Sequence, residues 1–262
     1  MSAWPEPFDL AATLTCGQCF RWRENPDGSF TGTAAGRTLT VRPDDAGEAF
    51  SDPFWRGYFD LDLDYGAIRD GLSSLSPALA EAASYAPGIR ILRQEPWEAL
   101  CSFIISQCNN ISRIKGIVER LCESFGEPVE FEGAVYYAFP SAQRIAALEP
   151  GALDVLRCGY RAPYIRLAAQ AVADGSLDLE ALISCDCVSA RARLMREQGI
   201  GPKVANCVVL FGLYHLEAFP IDVWIRRALK ENFPKDFDPA VLGEYAGLAQ
   251  QYIFYYARSH GK

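Results

Sequence analysis

Gly199-Ile200-Gly201-Pro202-Lys203, followed one helix length later by Phe219-Pro220-Ile221-Asp222, is the stretch whose reading decides the fold. Two glycines around one apolar residue suit a tight turn between helices, because glycine enters positive φ without a Cβ clash. Pro202 fits the first position of a following helix, where its missing N–H costs nothing. The spacing predicts that helix over residues 203–214 and a helix-hairpin-helix over about 189–214. Its first-turn amides lack intrahelical partners and point outward, so the turn at Gly199 and Gly201 is a candidate for binding a phosphate. Lys203 lies at the same end. There the positive pole of the helix dipole disfavours an ammonium and favours the free amine, a nucleophile. Asp222 precedes Val223-Trp224-Ile225-Arg226 and reads as the N-cap of the next helix. Each feature alone has an ordinary explanation as a turn, a solvated charge or a cap. Lysine, helix and Pro-x-Asp together, with the aspartate nineteen residues after the lysine, point to chemistry.

Upstream of this stretch the periodicity changes. Residues 20–23, 29–33 and 38–41 are β-rich and separated by Asn25-Pro26-Asp27-Gly28 and Ala35-Gly36, so they predict an antiparallel sheet. Ala86-Pro87-Gly88 is the boundary signal. From Pro96 onward helical spacing dominates, with Ile114, Ile117, Val118 and Leu121 on one stripe of a helix over 111–125. The predicted class is therefore α+β: an N-terminal antiparallel sheet domain with flanking helices over 1–89, then an all-α region over 90–262.

Composition sets further limits. The chain has 262 residues, half of them hydrophobic, and a net charge of −8. That length suffices for a buried core, and no apolar run approaches the ~20 residues of a membrane span. The net charge argues against a nucleic-acid partner, yet its distribution softens the argument. Residues 1–90 hold 7 basic against 13 acidic side chains, and residues 91–262 hold 18 against 20. Nine scattered cysteines suggest reduced thiols in an intracellular compartment, cytoplasmic or nuclear, rather than a disulfide framework. With two histidines and Cys185-Asp186-Cys187 too close for two ligands of one tetrahedral site, zinc is not expected.

Gly199–Lys203 with Pro220 and Asp222 resembles the helix-hairpin-helix Gly/Pro-Asp DNA glycosylase superfamily. The resemblance narrows to the 8-oxoguanine DNA glycosylase/lyases through Phe8-Asp9-Leu10, Gly17-Gln18-Cys19-Phe20-Arg21-Trp22, Ile91–Pro96, Asn109-Asn110-Ile111-Ser112-Arg113, Gly159-Tyr160-Arg161-Ala162 and Tyr245–Gln250. It implies an enzyme that excises 8-oxoguanine from double-stranded DNA and nicks the strand, acting as a monomer. Lys203 would be the nucleophile and Asp222 its electrostatic partner. Cys207 and Phe254 would stack on the flipped base, Gln250 would read its Watson–Crick edge, and Gly17 would offer a carbonyl to N7–H. Tyr160 would wedge into the vacated stack, while Arg113, Arg161, Asn109 and Cys108 would face the orphaned cytosine. Trp224 would lie on the DNA backbone, where the family has a histidine; Ala257 replaces that histidine's carboxylate partner. No cysteine follows Cys207, so the iron–sulfur cluster of a sister branch is not expected. The resemblance implies no cofactor and leaves room for a structural cation at the hairpin.

A non-catalytic helix-hairpin-helix DNA-binding module would explain the hairpin but neither Asp222 nor Gln250. A monofunctional purine glycosylase would leave Lys203 without a purpose. Cys108 departs from the family, which has an asparagine there. A thiol is a weaker donor and acceptor than an amide, so opposite-base discrimination should be looser. Single-turnover rates against each opposite base should show Cys108→Asn preferring cytosine over adenine about tenfold more strongly than wild type. Equal strictness in both would assign the preference to the arginines.

Overall fold

The computed structural model describes residues 4–261. Helix α1 (Leu10–Thr15) is capped by Asp9, whose side chain accepts from the Ala12 amide at 2.8 Å. Strands β1 (Trp22–Glu24), β2 (Phe30–Ala34) and β3 (Arg37–Val41) then form an antiparallel meander in the order β1-β2-β3. Trp22 pairs with Gly32 across the ladder, and a Cβ at Gly32 would lie 2.2 Å from the Trp22 ring. The missing side chain is thus what seats the indole. Helices α2 (Glu48–Ser51), α3 (Pro53–Tyr58), α4 (Tyr65–Ser73) and α5 (Pro77–Tyr85) follow. Trp4, Trp22, Trp55, Tyr58 and Phe59 gather here in an aromatic core of their own, with Trp22 Nε1 donating to the Tyr58 hydroxyl at 2.9 Å.

The larger core belongs to the helices that follow. Helix α6 (Pro96–Ile105) is almost wholly buried and packs against α12 (Pro202–Phe211), with Phe103 and Phe211 stacked at 5.3 Å. Helix α7 (Ile111–Phe125) buries the predicted stripe of Ile114, Ile117, Val118 and Leu121, and its N-cap Asn110 accepts from the Arg113 amide. Helices α8 (Ala142–Ala146), α9 (Arg161–Ala173), α10 (Leu179–Ile183) and α11 (Cys187–Leu194) lead to the hairpin. Beyond it lie α13 (Val223–Asn232) and α14 (Ala246–His260). The α+β class expected from the sequence is the class observed. The helical region also contains strands that periodicity did not predict: β4 (Pro128–Phe131) and β5 (Ala134–Tyr137), an antiparallel hairpin turning at Glu132 and Gly133, both at positive φ. The expected helix over 203–214 begins and ends earlier, at Pro202 and Phe211, and the chain reverses through Tyr214 at φ 60°.

Arg21 and Glu98 form a buried pair between the two cores at 3.9 Å, longer than a hydrogen bond, while Arg21 also donates to the Tyr137 carbonyl. Burial pushes the Glu98 carboxyl up to about 7 against the opposing pull of Arg21. The folded chain keeps a proton that an ordinary glutamate releases from about pH 4.5. This group therefore withdraws stability as pH rises from there to about 7, and nothing further above it. Glu98→Gln should lack that loss. Its urea stability relative to wild type should rise by ~3 kcal/mol between pH 4.5 and 8, and parallel profiles would show that Arg21 keeps the carboxylate ionised.

Candidate active site

The hairpin turn is built as its glycines require. Gly199 has φ 87°, and a Cβ there would come 2.2 Å from the Tyr164 ring, so the turn is both left-handed and tightly covered. Its carbonyl accepts from Gln107 Nε2 at 3.1 Å. Gly201 is the N-cap of α12, with Pro202 first inside the helix and no side chain capping the exposed amides. Lys203 and Cys207, one turn apart, project from the same face of this helix. The Lys203 ammonium donates to Ser106 Oγ at 2.9 Å and lies 5.4 Å from the Phe103 ring centroid. Ser106 in turn donates to the Phe103 carbonyl at 2.8 Å. Asp222 is the N-cap of α13, accepting from the Ile225 amide at 2.9 Å.

These elements enclose a cavity of about 820 Å³. Gly17 and Phe20 wall it on the N-terminal side. Phe103 and residues 106–111 close another side, while Gly201–Val204, Ile221–Trp224, Phe254 and Arg258 complete it. A deeper recess of about 50 Å³ opens from it, lined by Gly17, Phe103, Lys203, Cys207, Phe211, Pro220, Asp222, Gln250, Gln251 and Phe254. Lys203 and Asp222 stand where the two spaces meet. Burial raises the Cys207 thiol above its ordinary range; Lys203 lowers it and Asp222 raises it again. It remains a neutral, polarizable thiol, suited to lie against an aromatic ring.

Of the residues singled out in the sequence, Gly17, Lys203, Asp222 and Phe254 line both spaces. Cys207 and Gln250 line the recess; Cys108, Asn109, Gly201 and Trp224 line the outer cavity. Gly199, Arg113, Tyr160 and Arg161 line neither. Tyr160 is half exposed at the tip of its turn, and its hydroxyl donates to the Gln107 carbonyl at 3.3 Å. Arg113 is exposed in the first turn of α7. Arg161 is buried. Its guanidinium donates to the carbonyls of Gln107, Cys108 and Cys158 and stacks 4.4 Å from the Tyr160 ring centroid. It stitches two loops together instead of presenting its donors to solvent. Cys108 is exposed in the left-handed region at φ 46°, and Asn109 Nδ2 donates to the Ile105 carbonyl at 3.1 Å.

Three lining residues escaped the sequence reading. Ser106 follows the last residue of α6, where nothing in the sequence marks a partner for a lysine ninety-seven residues away. Arg258 bridges α14 to the Thr15 carbonyl at 2.9 Å. Gln251 had a visible signal, since it doubles Gln250, but only the packing shows that both residues line the recess. Among the described residues, no group of three or more His, Cys, Asp or Glu side chains could hold a metal ion. None of the described helices is long and apolar enough to cross a membrane.

Comparison with known proteins places this geometry. Residues 3–100 match the family described as 8-oxoguanine DNA glycosylase, N-terminal domain, and residues 101–239 match HhH-GPD superfamily base excision DNA repair protein. An N-glycosylase/DNA lyase of Saccharomyces cerevisiae is 38% identical over 191 residues, which is 67% of this chain and half of the yeast protein's length. The structure of MBOgg1 in complex with a low-affinity DNA ligand superposes with a TM-score of 0.89 at 41% identity, covering 97% of this chain and 93% of that one. The 8-oxoguanine glycosylase/lyase of Clostridium acetobutylicum, bound to double-stranded DNA with cytosine opposite 8-oxoguanine, gives 0.88 at 33% identity with the same coverage. The two family matches, laid end to end over the sheet region and the hairpin region, leave one assignment: the chain belongs to the HhH-GPD superfamily of base excision DNA repair proteins, in the branch that carries an 8-oxoguanine DNA glycosylase N-terminal domain.

Proposed function

We propose that this protein removes 8-oxoguanine from duplex DNA and then cleaves the strand, with Lys203 as nucleophile. The observation that carries the reading is that Lys203 and Asp222 both line the large cavity and the recess formed with Cys207, Gln250 and Phe254. A base buried in a duplex must leave the stack to be cut out. The outer cavity takes the extruded nucleotide, and the recess receives its base. The recess is too small for a purine as it stands, so the partly exposed Phe254 ring swings aside to admit one. Base then lies between the Cys207 thiol and the Phe254 ring, with its Watson–Crick edge toward Gln250 and the Gly17 loop toward N7.

In the reaction, the Lys203 nitrogen forms a bond to C1′ as the C1′–N9 bond breaks, and the bonding pair leaves with the base. Asp222 stabilises the cationic sugar that develops between these events. Opening of the sugar at O4′ converts the amine adduct to a protonated Schiff base. The departed base, an anion, takes up the C2′ proton; the electron pair passes into the iminium and then expels the 3′ phosphate from C3′, which nicks the strand. The steps call on the lysine, the carboxylate and the departed base. On the outer surface, the half-exposed Tyr160 fills the vacated stack and Arg113 meets the orphaned cytosine, while Trp224 and the amides at Gly199 and Gly201 take the backbone. The nine free cysteines suit a reducing compartment that holds the cell's DNA.

Borohydride added during turnover of an 8-oxoguanine duplex should trap a protein–DNA adduct in wild type, and Lys203→Gln should abolish it with the fold intact. An adduct that persists in the variant would refute the assignment. Asp222→Asn keeps most of the cap and loses the charge. Base release should fall about 100-fold or more, with ~1 kcal/mol or less lost in stability. If rate and stability fell in proportion, Asp222 would be only a cap.

A further inference from the structure

Gln250 and Gln251 are both buried, at 4% and 3% exposure, and both line the recess. Consecutive residues of a helix ordinarily point in different directions. Here the two amides meet instead, Gln251 Nε2 donating to Gln250 Oε1 at 2.9 Å. A glutamine amide carries two N–H donors and an oxygen with two lone pairs. The bond occupies one lone pair of Gln250 Oε1, leaving that side chain its second lone pair and its Nε2 donors. Gln251 Oε1 has no hydrogen-bond partner and is shielded from solvent. Phe103, Phe211, Pro220 and Phe254 share the recess lining and offer no side-chain donor, while Lys203 and Cys207, which have one, do not bond to it. A buried acceptor without a donor is unfavourable, and a base that widens the recess on entering can supply one.

We propose that Gln251 is a second reader of the flipped base, accepting a hydrogen bond from the exocyclic 2-amino group of a guanine-derived lesion while its own Nε2 fixes the orientation of Gln250. The inference rests on the proposed function and extends it to a specificity that Gln250 alone does not supply. The Watson–Crick edge of a guanine-type base presents, in order, an O6 acceptor, the N1–H donor and the 2-amino donors. Gln250, oriented by its neighbour, offers Nε2–H to O6 and the open lone pair of Oε1 to N1–H. The next acceptor along the edge is Gln251 Oε1. An adenine-type base reverses the first two groups and lacks the third. A hypoxanthine-type base keeps the first two and lacks only the amine, so it isolates the contribution of Gln251.

Single-turnover base release should be compared on two duplexes, one with 8-oxoguanine and one with 8-oxohypoxanthine opposite cytosine. Wild type should favour 8-oxoguanine by about tenfold or more, the value of one buried hydrogen bond whose loss leaves its partner unpaired. Gln251→Leu should bring the ratio to within about threefold of unity. Its far-ultraviolet circular dichroism, which does not depend on activity, should match wild type and report an intact fold. Gln251→Glu keeps an acceptor but cannot donate to Gln250, so it should slow both substrates and retain the ratio. Should Gln251→Leu not fold, Gln251→Met carries the same test with an unbranched side chain of similar length. A wild-type ratio near unity, or a ratio unchanged in Gln251→Leu, would overturn the inference while leaving the proposed function standing. Wild-type enzyme that released neither base would overturn the proposed function and this inference with it.

Discussion

The buried carboxylate of Asp60 is the point on which the two cores are registered. A charge out of water persists only with partners, and this one gathers them from distant parts of the chain. Arg93 Nε donates to it at 2.9 Å, the Tyr65 hydroxyl at 2.9 Å, and the Tyr214 hydroxyl also donates to it. Arg93 lies 3.6 Å from the Tyr214 ring centroid, and Arg90 donates to the Asp60 carbonyl at 2.7 Å. Asp60 and Tyr214 both hold left-handed backbone, at φ 51° and 60°, which costs non-glycine residues roughly 1–3 kcal/mol each and persists only where the surroundings enforce it. The knot grips Tyr214, just beyond the end of α12, and so fixes the far end of the helix that carries Lys203 in its first turn.

The same segment holds the opposite wall of the cavity. The buried Gln18 side chain accepts from the Leu92 amide at 2.9 Å and donates to the Arg90 carbonyl at 2.7 Å. Gln18 is the neighbour of Gly17. Residues 90–93 therefore tie the Gly17 loop through Gln18, and α12 through Asp60, to one stretch of backbone. Geometry held this way before any DNA arrives costs little reorganisation when charge develops at the sugar. It also explains how a chain with a net charge of −8 serves an anionic partner. In the proposed function the helix-start amides and a few cations supply a local footprint, and the acidic surplus lies mostly in the N-terminal residues.

The hairpin, the sheet and the capping role of Asp222 were legible because each follows from local rules: glycine at positive φ, alternation with turns, and a short polar side chain before an apolar helix. Strands β4 and β5 were equally local, with Val129, Phe131, Val135 and Tyr137 around a Glu132-Gly133 turn, but the helices on either side dominated the periodicity. The fate of Arg161 was not legible in the same way. The resemblance implied that it faces the orphaned cytosine, and the carbonyls of Gln107, Cys108 and Cys158 arranged around it take its donors inside. Ser106 and Gln251 belong to the same class, since their roles arise from packing between helices distant in sequence.

The left-handed backbone at Cys108 has an evolutionary corollary. Arg161 holds the carbonyls of the two peptides that flank the Cys108 α-carbon, so the φ of 46° at Cys108 is supported by a residue fifty-three positions away. Asparagine, aspartate and glycine enter that region with least strain, and β-branched side chains enter it worst. The repertoire that selection can sample at this cleft-lining site is thereby narrowed before any contact with DNA is weighed. Drift toward valine, isoleucine or threonine is closed off by the backbone, while small polar side chains stay within one step. Lineages that alter base pairing tolerance here are steered along a short list of substitutions, and a change at Arg161 would reopen the list.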